Sequence, residues 1–84
     1  MREKRDYILL TFQTTTHAMA MEKSCHKEGI PGRIIPLPAA ISAGCGLSWR
    51  MLPDEYEEYE SNLANLGIPF ESVHKIKLYD LQHY

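Results

Sequence analysis

The sequence predicts one α+β domain, a four-stranded antiparallel sheet with two helices on one face. Three observations predict it. Two helical stretches are interleaved with strand-like runs in the order β-α-β-β-α-β. Each helix stops at the same tripeptide, Gly29-Ile30-Pro31 and Gly67-Ile68-Pro69, and a strand follows each stop. The third strand alternates apolar and polar side chains, as a strand covered on one side does. The closed solution for that order is the ferredoxin-like split βαβ sandwich.

Taken in order, residues 6–12 are nearly continuous in apolar side chains and read as a central strand. A threonine of the Thr14-Thr15-Thr16 run is placed to cap the helix that follows. The spacing predicts a helix over 17–27, with Ala18, Met21 and Cys25 on one face. Gly29 stops it at the residue after the cap, and Pro31 confirms the stop. A second strand spans 32–37, and Pro36 assigns it to an edge because proline cannot donate to a ladder. A long connection, 38–44, leads to a strand over 45–52. There Leu47, Trp49 and Met51 point to the face under the helices and Ser48, Arg50 and Leu52 to the other, where Arg50 either reaches a ligand or, as is more common, lies on solvent beside Ser48.

Pro53 opens the second helix, and Asp54, Glu55, Glu57 and Glu58 crowd its positive end. Tyr56, Tyr59, Leu63 and Leu66 form its apolar stripe. The fourth strand is expected over 70–78, and the sequence places no element over 79–84.

The chain of 84 residues reads as a single domain, 1–84. Eleven acidic against 9 basic residues, net charge −2, argue against a nucleic-acid binder that neutralises phosphates. The charged start and the short apolar run from Tyr7 to Leu10 give neither a signal-peptide core nor a membrane span. A cytoplasmic protein without membrane attachment is expected. Gly-rich phosphate loops, paired carboxylates and a Ser–His–Asp order are not recognisable. No metal is expected either, since His17 and Cys45 find no convergent partners in His26, His74 or His83. The sequence therefore implies no cofactor and points away from a stand-alone enzyme.

Cys45 is the residue that stands out, flanked by Gly44 and Gly46. With the first strand running up, three loops share the top of the sheet: 13–17, 36–45 and 67–69. Cys45 is thereby expected near the start of the first helix, where N–H groups are free and the dipole is positive. Thiolates are favoured at such ends, with pKa values of roughly 3.5–7.5 in well-placed cases. Thr15, Thr16 and His17 are candidate donors to a bound anion, and Gly44 and Gly46 allow close approach. The alternative reading of Cys45 is an inert small apolar side chain at a strand start. Cys25 reads as core. It lies roughly 14 Å down the helix from Thr16, too far from Cys45 for a disulfide, which needs Cα atoms within about 7 Å.

The run Thr14-Thr15-Thr16-His17-Ala18, the Gly29-Ile30-Pro31 stop, Arg33-Ile34-Ile35-Pro36-Leu37-Pro38, and Ile41-Ser42 followed by Gly44-Cys45-Gly46-Leu47-Ser48-Trp49-Arg50 resemble the selenium/sulfur carrier protein-like family. The resemblance covers nearly the whole chain. It implies a bacterial cytosolic protein whose cysteine, here Cys45, bears sulfur or selenium as a persulfide or selenosulfide. Its partners would be a donor and an acceptor protein, and Arg50 carries over as a supporting residue. The competing expectation is a binding or regulatory module that forms a homodimer through the edge of the second strand, with Tyr79 and Tyr84 contributing.

Overall fold

The computed structural model describes residues 4–42 and 44–79. In chain order they form β1 (Lys4–Thr11), α1 (Thr15–Glu28), β2 (Arg33–Pro36), β3 (Leu47–Met51), α2 (Pro53–Asn65) and β4 (Ser72–Tyr79). The sheet order is β2-β3-β1-β4, and every neighbouring pair is antiparallel. This is the predicted ferredoxin-like sandwich, with β2 on an edge.

Register decides which side chains meet. Leu10 lies opposite Trp49 and Ile8 opposite Met51, while Trp49 also lies opposite Ile34 on β2. These side chains, with Phe12, face the helices and pack against Ala18, Met21 and Cys25 of α1 and Leu63 of α2. The apolar stripes predicted for both helices are the ones that pack here, with Tyr56, Tyr59 and Leu66 half-buried at the margin.

The helix ends are built as their residues dictate. The Thr14 hydroxyl accepts the His17 N–H at 3.1 Å. Gly29 turns into the left-handed region at φ 71°, and the Ile30 N–H returns to the Cys25 carbonyl at 2.9 Å. In α2 the Glu55 carboxylate accepts the Leu52 N–H at 2.9 Å.

Boundaries differ from the sequence reading where pairing overrides local character. β1 starts at Lys4 because Lys4 pairs with Tyr79 and Asp6 with Lys77 on β4. Lys77 also donates to Asp6 at 2.9 Å, which lowers the Asp6 pKa. Tyr79, expected outside any element, closes β4, with the Lys4 ammonium 5.4 Å from its ring centroid. Tyr84 lies outside the described residues. Helix α1 begins two residues before His17 because Thr14 is its cap. β3 begins only at Leu47, after a turn in which Gly44 and Gly46 hold φ values of 36° and 83°.

The larger correction concerns the face away from the helices. Ser48 and Arg50 were expected in solvent. Ser48 is 0% exposed and donates to the Ile35 carbonyl, while Tyr7 is 3% and Leu9 0% exposed. The Arg50 guanidinium lies over the Tyr7 ring, 4.7 Å from its centroid. A long side chain laid flat covers apolar surface that periodicity alone assigns to water.

β1 is buried on both faces from Tyr7 to Thr11, and Leu10, the last residue but one, has no exposure. Truncating Leu10 to Ala is expected to cost about 2–5 kcal/mol, read as a lower urea midpoint with an unchanged slope. For a domain this small that is a large share of a total near 5–15 kcal/mol.

Candidate functional site

The turn that carries Cys45 is held by backbone. The Cys45 N–H donates to the Phe12 carbonyl at 3.0 Å, and the Leu37 N–H donates to the Gly46 carbonyl at 2.9 Å. The second bond closes the neck of the long β2–β3 connection. The first ties its far end to the last turn of chain before α1, because Phe12 precedes the Thr14 cap by two residues.

Gly44 is what makes the first bond possible. Its φ of 36° is left-handed, and a Cβ there would run into the Phe12 carbonyl. Gly46 is also left-handed, at φ 83°, but a Cβ there would meet nothing within 4 Å. The two glycines thus have different roles. Gly44 permits close approach, and Gly46 supplies only a dihedral angle.

The Cys45 side chain is half-buried and packs on the margin of the core. Its Sγ stands 4.0 Å from the Leu47 carbonyl, a weak S–H contact. Cys25 has the opposite character. It is fully buried, its Sγ is 3.6 Å from the Met21 sulfur, and burial pushes its thiol pKa up to about 11. Both cysteines are free.

Thr15 and Thr16 form the exposed first turn of α1. The Thr14 hydroxyl takes the His17 N–H and its carbonyl takes that of Ala18. The Thr15 and Thr16 N–H groups therefore remain at the helix start, where an α-helix has no internal acceptor for them. His17 is half-buried and shares a cleft of about 250 Å³ with Gln13, Pro69, Phe70 and Glu71. The segment after α2 reaches this end as well, through the Glu71 N–H, which donates to the Thr11 carbonyl at 2.6 Å. The three loops expected at one end of the sheet do meet there.

Arg50 does not join them. It lies within β3, whereas Cys45 stands in the turn before that strand. It also projects from the other face of the sheet, beside Tyr7. Glu71 is a neighbour that sequence reasoning missed. Its carboxylate oxygen lies 3.1 Å from where a Gly44 Cβ would stand. Nothing in the local pattern around Glu71 marks it, because its place comes from the β1–β4 pairing that begins at Thr11 and Ser72.

Among the described residues, no group of three His, Cys, Asp or Glu side chains is placed to hold a metal ion. No helix among them is long and apolar enough to cross a membrane.

Compared with known proteins, residues 7–75 match the model of the family described as "Putative Se/S carrier protein-like". Neither the curated proteins nor the solved structures gave a match. The matched segment runs from within β1 into β4 and includes the Cys45 turn and the start of α1, so the chain belongs to the Se/S carrier protein-like family.

Proposed function

We propose that this protein carries one sulfur or selenium atom on Cys45, as a persulfide or selenosulfide, between a donor and an acceptor protein in the cytoplasm. The observation that carries the reading is the seating of Cys45. A half-exposed thiol sits on a glycine-flanked turn bonded to the Phe12 carbonyl, next to the start of α1. Family membership supports the same reading.

The chemistry needs one thiolate and no oxidant. In loading, the Cys45 thiolate attacks the outer sulfur of a donor persulfide, R–S–SH. A Cys45 S–S bond forms, the donor S–S bond breaks, and R–S⁻ leaves while the proton stays on the transferred sulfur. In delivery, an acceptor thiolate attacks that outer sulfur and Cys45 leaves as the thiolate. Selenium follows the same route from R–S–SeH. The Thr15 and Thr16 N–H groups and the positive end of α1 favour an anionic terminal atom nearby. The open space over Gly46 leaves room for a partner to approach. Cys25 takes no part, being buried and protonated.

The dimer reading has less behind it. The edge offered by β2 is four residues long and ends at Pro36. A short edge with a proline is a poor template for pairing.

Incubating the protein with a cysteine desulfurase and cysteine is expected to add the mass of one sulfur atom. The adduct should be lost in Cys45→Ser and retained in Cys25→Ala. No adduct, under conditions that load a known carrier, would refute the proposal. In the folded protein iodoacetamide is expected to label Cys45 alone, with Cys25 labelled only after denaturation, as peptide mapping would show. Gly44→Ala is expected to cost about 1–3 kcal/mol from its dihedral alone, with the Phe12 clash added, and to slow loading. Gly46→Ala carries only the dihedral cost, so its loading should stay closer to that of the parent protein.

A further inference from the structure

β4 is the long open edge of the sheet. It pairs with β1 over all 8 of its residues, Ser72–Tyr79, and among the described residues no strand lies on its other side. Unlike β2 it contains no proline, so its outward N–H and C=O groups offer an unbroken template to another strand. The helix layer lies mainly over the other strands, α1 on β3 and β2 and α2 on β1. Val73 and Lys75 are therefore exposed, although the residues opposite them on β1, Leu10 and Ile8, are buried.

Apolar exposure gathers along the same edge. Among the described residues the exposed large apolar side chains are Met19, Phe70, Val73 and Tyr79. Val73 and Tyr79 belong to β4, and Phe70 stands two residues before it.

Charge then selects how a second copy fits. Val73 shares its face of β4 with Lys75 and Lys77. When two copies of one strand pair antiparallel, a two-fold axis passes through the pairing, and each residue faces the one equally far beyond the axis. With the axis at Lys75, Ile76 or Lys77, lysine faces lysine, which destabilises a sheet. With the axis at His74, Glu71 faces Lys77, but Lys77 is already held by Asp6 at 2.9 Å. With the axis at Val73, Val73 faces its own copy, Ser72 faces His74, and Glu71, the residue before β4, faces Lys75 on both sides of the axis. Neither Glu71 nor Lys75 makes an ion pair among the described residues. This register covers an exposed apolar side chain and joins the two charges that the single chain leaves apart.

We propose that two copies of this chain associate edge to edge through β4, antiparallel about a two-fold axis at Val73, with Glu71 of each copy opposite Lys75 of the other. The pairing spans residues 70–76. It goes beyond the carrier reading and stands without it, because it does not use the Cys45 thiol.

The test is sedimentation equilibrium of the full chain over roughly 10 µM to 1 mM, a range suited to an interface of the small, weak class. A reversible monomer–dimer equilibrium is expected. Lys75→Glu sets carboxylates opposite each other and is expected to weaken the dimer about tenfold or more. Adding Glu71→Lys to it recreates both pairs with their signs exchanged and is expected to restore the dimer. Disulfide trapping in a Cys45→Ser background reads the register independently of those charges. Val73→Cys sets two thiols across the axis with Cα atoms about 4.5–5.5 Å apart, within reach of a disulfide. Oxidation should therefore give a covalent dimer with Val73→Cys and none with Lys77→Cys. A monomer at every concentration, which would leave the edge to a strand of another protein, would overturn the proposal. So would a dimer that Lys75→Glu does not weaken and Val73→Cys does not trap.

Discussion

β1 is the strand on which everything else is registered. It pairs with β3 on one side and β4 on the other, and its side chains are buried on both faces from Tyr7 to Thr11. Its helix-side residues, Ile8 and Leu10, meet Met51 and Trp49 and so place the core. Its last residue and the one after it supply the carbonyls that hold two loops, Thr11 for Glu71 and Phe12 for Cys45. Its first half supplies Tyr7 and Arg5 to a cleft that Arg33 and Arg50 also line. A central strand buried on two faces is expensive to displace, because moving its register by one residue would exchange the two faces. The positions of Cys45 and of the arginines are therefore consequences of one register.

The two regions are separated by geometry as well as by chemistry. Cys45 belongs to the helix side and the top of the sheet, and Arg50 belongs to the other side, five residues further on. Cys45 stands in the turn before β3, and Arg50 lies within β3 on the face away from the helices. That placement explains why two residues close in sequence do not form one site.

Much of this was readable in the sequence. The paired Gly-Ile-Pro stops, the stripes of Ala18, Met21 and Cys25 and of Tyr56, Tyr59 and Leu63, and the alternation through Leu47, Trp49 and Met51 all report burial periods directly. The topology follows from their order, and with it the meeting of three loops around Cys45. Other features depend on partners that local pattern does not name. Lys4 and Tyr79 are strand residues only because they face each other. Glu71 reaches the Cys45 turn through a register set at Thr11. The burial of the face away from the helices was hidden because Arg50 reads as polar by type, while its guanidinium lies over the Tyr7 ring. Arg5 and Arg33 stand 28 positions apart in the chain, and only the order β2-β3-β1 brings them to one cleft.

The central claim is that a single thiolate, Cys45, both receives and releases the chalcogen without help from Cys25. Single-turnover delivery tests it most directly. The protein is loaded with isotopically labelled sulfur, separated from donor, and mixed with an excess of a thiol acceptor, with intact mass and peptide maps followed in time. The account predicts that the label leaves Cys45 as one atom, that the acceptor gains it, and that the protein returns to its unmodified mass with both cysteines free. Label on Cys25, or a Cys25–Cys45 disulfide formed during delivery, would contradict it.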